Sequence, residues 1–186
     1  LNLVIAHLGS GISVGAHQKG RVIDVNNALD GEGPFGPERS GTLPAGALAR
    51  FCLKQDMEWD ELKKMLTGEG GLFAYAGHKD AQLLEKEARE GDPKAQLLQS
   101  AMAYQISKEI GAMATVLGGE VDAILVTGGM AHNPDLTGLV KKRVDFIAPV
   151  LIFPGEDEMR ALAQNGALLL SGKVIPQKYI VNKEDG

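Results

Sequence analysis

The sequence predicts an α/β fold, and three observations predict it. Short β-rich runs separated by glycine-containing turns open the chain, an apolar stripe of helical period runs through its middle, and strand and helix alternate in its last third. Strands first, helices next, then strand–helix–strand–helix is an α/β order.

Residues 2–8, 12–18 and 21–26 read as three strands of an antiparallel meander, and the second break, Gln18-Lys19-Gly20-Arg21, carries the glycine of a tight hairpin. Residues 29–44 hold four Gly and three Pro, a density that regular structure does not survive, so a structured loop is predicted there. A loop this long inside a compact domain tends to carry function. Helical periodicity then covers 43–54 and 59–66, and the glycines of 68–77 interrupt it. Two helices follow, about 79–90 and 93–117, with Gly91-Asp92-Pro93 as stop and restart. In the longer one Leu98, Met102, Ile106, Ile110, Met113 and Leu117 recur at spacings of four and three, one stripe facing a core. A buried strand at 121–129 ends in a glycine pair, and Asn133-Pro134 is an N-cap with a favoured first helical residue. Residues 149–153 form the last strand, and 155–172 a helix with Glu156, Asp157 and Glu158 in its first turn, where the helix dipole favours acids. The tail after Val174 reads as loosely ordered. A three-strand antiparallel meander followed by two crossover strands and packed helices is the order of the ribonuclease-H-like ATPase domain.

Composition narrows the function classes. At 44% hydrophobic and 23% charged, the chain can bury a core and keep a polar surface. A net charge of −5 disfavours nucleic acid and anionic membrane as partners, and no apolar run approaches the roughly 20 residues that span a bilayer. The lone Cys52 forms no internal disulfide and reads as a small core residue of an apolar helix face. With no basic leader ahead of the first strand, a cytoplasmic protein is expected. The chain opens at Leu1, already in strand-like sequence, which reads as a piece of a longer protein.

Four constellations can carry chemistry. His7-Leu8-Gly9-Ser10-Gly11 sits at the first strand turn, where glycines let backbone N–H groups approach an anion; the bland alternative is a plain hairpin with His7 a satisfied strand-end group. Gly128-Gly129-Met130 ahead of the Asn133-capped helix suits a nucleoside or phosphate packed on backbone, or is only a tight connection. Arg39, inside the Gly- and Pro-rich loop, offers a planar fork matched to phosphate or carboxylate, or pairs with Glu38 on the surface. Asp157 and Glu158 could help hold magnesium, or serve only as dipole partners. The four His never pair at metal-ligand spacing, so zinc is not expected; His17, His78 and Trp59 get no role.

Together these residues are more specific than apart. The His-Leu-Gly-x-Gly turn (7–11), the stretch 22–35 ending Asp-Gly-Glu-Gly-Pro-Phe, Pro-Glu-Arg-Ser-Gly (37–41), 103–106 with 108–113, and Pro-Gly-Glu-Asp-Glu-Met (154–159) follow in order, and the chain resembles the acetate kinase family in its butyrate branch from residue 2 to about 172. Acetate kinases carry Thr-Arg-Ser-Gly at the arginine loop. The resemblance implies two ribonuclease-H-like domains flanking a cleft, in the superfamily of actin and the sugar kinases. Residues 1–174 would be the second, nucleotide-binding domain, with a helical insertion at about 43–118 and a tail at 175–186; the first domain, about as long again, is absent from this chain. It further implies transfer of the γ-phosphoryl of ATP to a short-chain carboxylate, giving an acyl phosphate and ADP, with Mg²⁺. His7, Gly9 and Gly11, with Ser10 between them, match the phosphate-binding turn. Arg39 matches the arginine that stabilises the transferring group, and Gly128 and Gly129, leading into Met130 and Asn133, match the adenosine turn. Asp157 or Glu158 falls at the magnesium-associated acid. Butyrate is the expected acceptor, with acetate, propionate or isobutyrate as alternatives and a non-catalytic actin-like nucleotide-binding module as a different class. A homodimer or higher homo-oligomer is expected, and the chain alone is expected to be inactive.

Overall fold

The computed structural model describes residues 1–155 and 157–176. The chain divides into two units, Leu1–Gly155 and Glu156–Gly186.

The first unit is built on a five-stranded sheet of order β3-β2-β1-β4-β5, formed by β1 (Asn2–Leu8), β2 (Ile12–Gln18), β3 (Arg21–Val25), β4 (Ala123–Gly128) and β5 (Val150–Pro154). The first three strands pair antiparallel, and β4 and β5 add parallel to β1. This is the expected meander with two crossover strands. Alternation along β1 buries Val4, Ala6 and Leu8, which meet Ile12, Val14, Ala16, Ile124 and Val126 on one face. At the outer edge all five residues of β3 are exposed, and a register shift between Ala16 and His17 bulges its pairing with β2.

Five helices separate β3 from β4: α1 (Ala45–Gln55), α2 (Trp59–Thr67), α3 (Gly71–Ala76), α4 (Ala81–Arg89) and α5 (Pro93–Val116). Asp92 caps α5 by accepting from the Ala95 N–H at 2.7 Å, with Pro93 in the first turn. Leu98, Met102, Ile106, Ile110, Met113 and Leu117 are all at least nine-tenths buried, as the stripe predicts. Burying each such side chain stabilises by roughly 1.5–3 kcal/mol, so α5 is the main contribution of the helical stretch to the core. A short 3₁₀ turn, Gly129–His132, leads from β4 into α6 (Pro134–Val144). Asn133 caps α6 as expected, accepting from the N–H groups of Asp135 (2.9 Å) and Leu136 (3.0 Å).

Several expectations change. Residues 68–77 are not merely an interruption, because α3 forms within them. The N–H groups of Gly70, Leu72 and Phe73 donate to the carbonyls of Glu38, Gly36 and Pro37 at 3.0–3.2 Å, so distant backbone supplies what local propensity lacks. Cys52 is not a core residue: it is only half-buried, and α1 buries none of its residues. The predicted loop begins with a 3₁₀ turn, Ala28–Asp30. In the second unit, α7 spans Glu158–Leu170, so only Glu158 stands in its first turn. Gly155, instead of opening that helix, bridges back to Gly128. The expectation for the tail lies, from residue 177 onward, outside the described residues.

Candidate functional site

The carboxyl ends of β1, β4 and β5 lie side by side, with His7 opposite Thr127, Thr127 opposite Phe153 and Gly128 opposite Pro154. In open α/β sheets ligands bind beyond this end of the parallel strands. Gly128 has φ +95°, and a Cβ there would lie within 2.6–2.7 Å of the Leu8 backbone, so strand end and first turn touch only because position 128 lacks a side chain. Gly128 and Gly155 exchange backbone hydrogen bonds at 3.3 and 3.0 Å, and the Thr127 hydroxyl donates to the Gly155 carbonyl at 3.3 Å. Its neighbour Gly129 differs: it is exposed, and a Cβ there would meet nothing within 4 Å. The two glycines that the sequence pairs therefore do different things, one packing strand ends together and one leaving backbone open.

The turn after β1 is closed by the Gly9 N–H donating to the Gly11 carbonyl at 3.1 Å. Ser10 is exposed, and its carbonyl accepts from the Glu38 N–H at 3.4 Å. A side chain at Gly11 would overlap the Arg39 guanidinium, which occupies that space. Glycine turn and arginine loop, 28 positions apart in sequence, are thus one constellation. The bland alternative for Arg39 does not form: Glu38 pairs instead with Lys79 at 2.6 Å, and among the described residues no carboxylate pairs with Arg39. The Arg39 Nε is buried with no hydrogen-bond partner among them. A buried donor without a partner is costly, so its placement calls for an explanation.

The loop that carries Arg39 is held from several sides. Residues 33–37 are all buried. The Gly36 N–H donates to the Arg39 carbonyl (3.0 Å), Ser40 N–H to the Leu66 carbonyl (2.9 Å), and Phe35 N–H to Gln105 Oε1 on α5 (2.9 Å). The Phe35 ring meets Tyr75 of α3 edge to face, centroids 5.8 Å apart. One turn beyond Gln105, Glu109 is held above the ordinary carboxylate range, first by burial and then by the charges of Glu32 and Asp24.

The remaining candidates are not all gathered here. Met130 and Asn133 are buried, and Asn133 Oδ1 already serves two helix amides and the side chain of Gln99 at 3.4 Å. Asp157 and Glu158 belong to the second unit, at the N-cap and first turn of α7, and Glu156 lies outside the described residues. Among the described residues no three His, Cys, Asp or Glu side chains group to hold a metal. Sequence reasoning missed Asn26 and Gln105; the signal for Asn26 was an amide at the exit of a strand, ahead of a glycine-rich loop.

Comparison with known proteins agrees with this geometry. The chain is 51% identical to Butyrate kinase 2 of Clostridium acetobutylicum over 179 residues, 96% of this chain and 50% of that protein. Among solved structures, acetate kinase of Porphyromonas gingivalis superposes with a TM-score of 0.79 at 22% identity, over 90% of this chain and 49% of that one. A propionate kinase of Francisella tularensis superposes with a TM-score of 0.75 at 21% identity, over 85% and 47%. These two share the fold; this chain spans about half the length of the relatives it matches. The model of the acetokinase family matches residues 1–154, and the chain belongs to that family.

Proposed function

We propose that this chain is the C-terminal, nucleotide-binding domain (residues 1–174, with the helices of about 43–118 as an insertion) of a two-domain carboxylate kinase. Its reaction moves the γ-phosphoryl of ATP to a short-chain fatty acid, butyrate first. The observation that carries this reading is the Arg39 guanidinium over Gly11, its buried Nε unpartnered among the described residues, beside the glycine turn at the strand ends. The 51% identity to a butyrate kinase supports the choice of acceptor.

The chemistry fits what the site contains. A carboxylate is already ionised near neutral pH, so its oxygen attacks the γ-phosphorus without a general base while the bond to the ADP oxygen breaks. Catalysis then rests on in-line placement and on positive charge facing the equatorial oxygens. Arg39 supplies that charge, and backbone amides of Ser10 and Gly11, in the turn that the Gly9 N–H closes, cradle phosphate with His7 at the strand end. Gly129 leaves room for the nucleoside between β4 and α6, with Gly128, Met130 and Asn133 shaping its floor. Asp157 or Glu158 would hold Mg²⁺ through hard carboxylate oxygens, and the ion would supply positive charge that neutralises phosphate. The protein acts in the cytoplasm as a homodimer.

Calorimetric titration with Mg·ADP tests the assignment, on this chain and on the two-domain protein. Gly129→Val should abolish binding without straining the strand ends. Arg39→Ala should leave affinity within a few-fold yet lower kcat of the two-domain protein by about 10³-fold or more. If that protein binds ATP but phosphorylates no acid of two to five carbons, it is a non-catalytic nucleotide module. If it binds no nucleotide at millimolar concentration, the nucleotide reading is wrong.

A further inference from the structure

Asn26 occupies a place that no catalytic reading uses. It is 6% exposed and stands directly after β3. Its backbone N–H donates to the Val14 carbonyl (3.4 Å), while the Val14 N–H donates to the side-chain Oδ1 (2.6 Å). The side-chain amide thus takes the position that the residue's own carbonyl would hold in the next ladder pair. That carbonyl instead accepts from the Ala28 N–H at 3.0 Å, which turns the chain out of the sheet. Both remaining side-chain hydrogens are used: Nδ2 donates to the Ile12 carbonyl (3.1 Å) and to the Glu32 carbonyl (2.9 Å). Ile12 directly follows Gly11, and Glu32 leads into the Arg39 loop. One buried amide is therefore bonded to both halves of the constellation. The far side of the loop is fixed by Gln105 through the Phe35 N–H (2.9 Å), and Thr42 closes its neck on Gly33.

We propose that Asn26, seconded by Gln105, is a positioning residue that sets the placement of Arg39 against the Gly9–Gly11 turn; this rests on the phosphoryl-transfer reading above. The amide is suited to the task because it accepts from one strand N–H and donates to two carbonyls on different segments. Asp at this position keeps the acceptor and loses both donors, leaving a carboxylate oxygen against two carbonyls.

The test compares Asn26→Asp, Arg39→Ala and the double variant in the two-domain protein, with hydrogen exchange alongside kinetics. Asn26→Asp should lower kcat about 10- to 100-fold while KM for ATP and acid stays within about twofold, the pattern of a misplaced catalytic group. In the Arg39→Ala background it should cost nothing further, since its effect runs through Arg39. Exchange at the Phe35 and Thr42 amides should accelerate while β1 amides keep their protection. Losses that multiply in the double variant, or loop amides that stay protected in Asn26→Asp, overturn the proposal. Should Asn26→Asp fail to fold, Gln105→Met, which removes only the acceptor for Phe35, decides on the same readouts. If the parent protein phosphorylates no acid, the functional reading falls and the exchange arm alone decides whether Asn26 places the loop.

Discussion

Two neighbouring segments of the molecule separate regular structure from fixed structure. Residues 26–42 contain only a three-residue 3₁₀ turn, yet 33–37 are all buried and the backbone bonds to β2, α2, α3 and α5. Residues 45–67 form two regular helices, α1 and α2, and bury none of their residues; Leu53 is 85% exposed and Trp59 65%. Isolated helices of this length are marginal in water, since helical stability comes mostly from packing an apolar face. What positions the candidate site is thus hydrogen bonding between distant segments, to which the two exposed helices add the Leu66 carbonyl that accepts from the Ser40 N–H.

The comparison breaks most visibly at Gly71, the first residue of α3. It has φ +56°, and a Cβ there would overlap the Gly36 carbonyl and approach that of Arg39, so Gly71→Ala should cost about 3 kcal/mol from strain and displaced packing. Urea unfolding monitored by circular dichroism measures that loss, and Mg·ADP affinity of the refolded variant reports whether the loop has moved.

A smaller, pH-dependent effect is expected at Glu109, which faces the loop from α5. Burial, then the Glu32 and Asp24 charges, raise its proton affinity in the folded chain. The stability linked to that proton is fully present below the ordinary carboxylate range and is lost as pH rises through the raised value. Glu109→Gln should therefore flatten the decline, and its advantage over the parent should grow as pH rises above the ordinary glutamate value of about 4, read in urea-unfolding midpoints. An advantage that shrinks with rising pH would contradict the sign.

The smallest effect belongs to α1. Leu53→Ser on exposed α1 should shift stability of this chain by no more than about 0.5 kcal/mol, where the same change at Ile106 on α5 should cost several. A large loss at Leu53, read by thermal unfolding, would mean that α1 packs on something in solution.

The same contrast sorts what could be read in advance. Strand limits, the α5 stripe and the Asn133 cap were legible because each depends on residues within a turn or two of one another. The loop was legible as a loop, and Arg39 as its candidate residue. That Arg39 lies over Gly11 was not, since the contact joins segments whose approach is set by β2, β3 and Asn26. α3 escaped for the same reason: Gly70 and Gly71 argue against a helix, and only carbonyls more than 30 positions earlier restore it. Periodicity marked a helical face at Cys52 but says nothing about what covers it. The three-acid first turn failed because Gly155 is bonded into the strand end, which starts α7 later.

The open outer edge of β3 bears on colloidal behaviour. Val22, Ile23 and Val25 are 57%, 47% and 49% exposed, on a strand whose outer hydrogen-bonding edge, among the described residues, faces no other strand. Such an edge invites strand addition from another chain, and proteins blunt it with bulges and charge. Here a register shift falls between Ala16 and His17, Arg21 flanks the apolar run and Asp24 interrupts it. Charges at such positions are the kind of residue that disfavours intermolecular sheet growth.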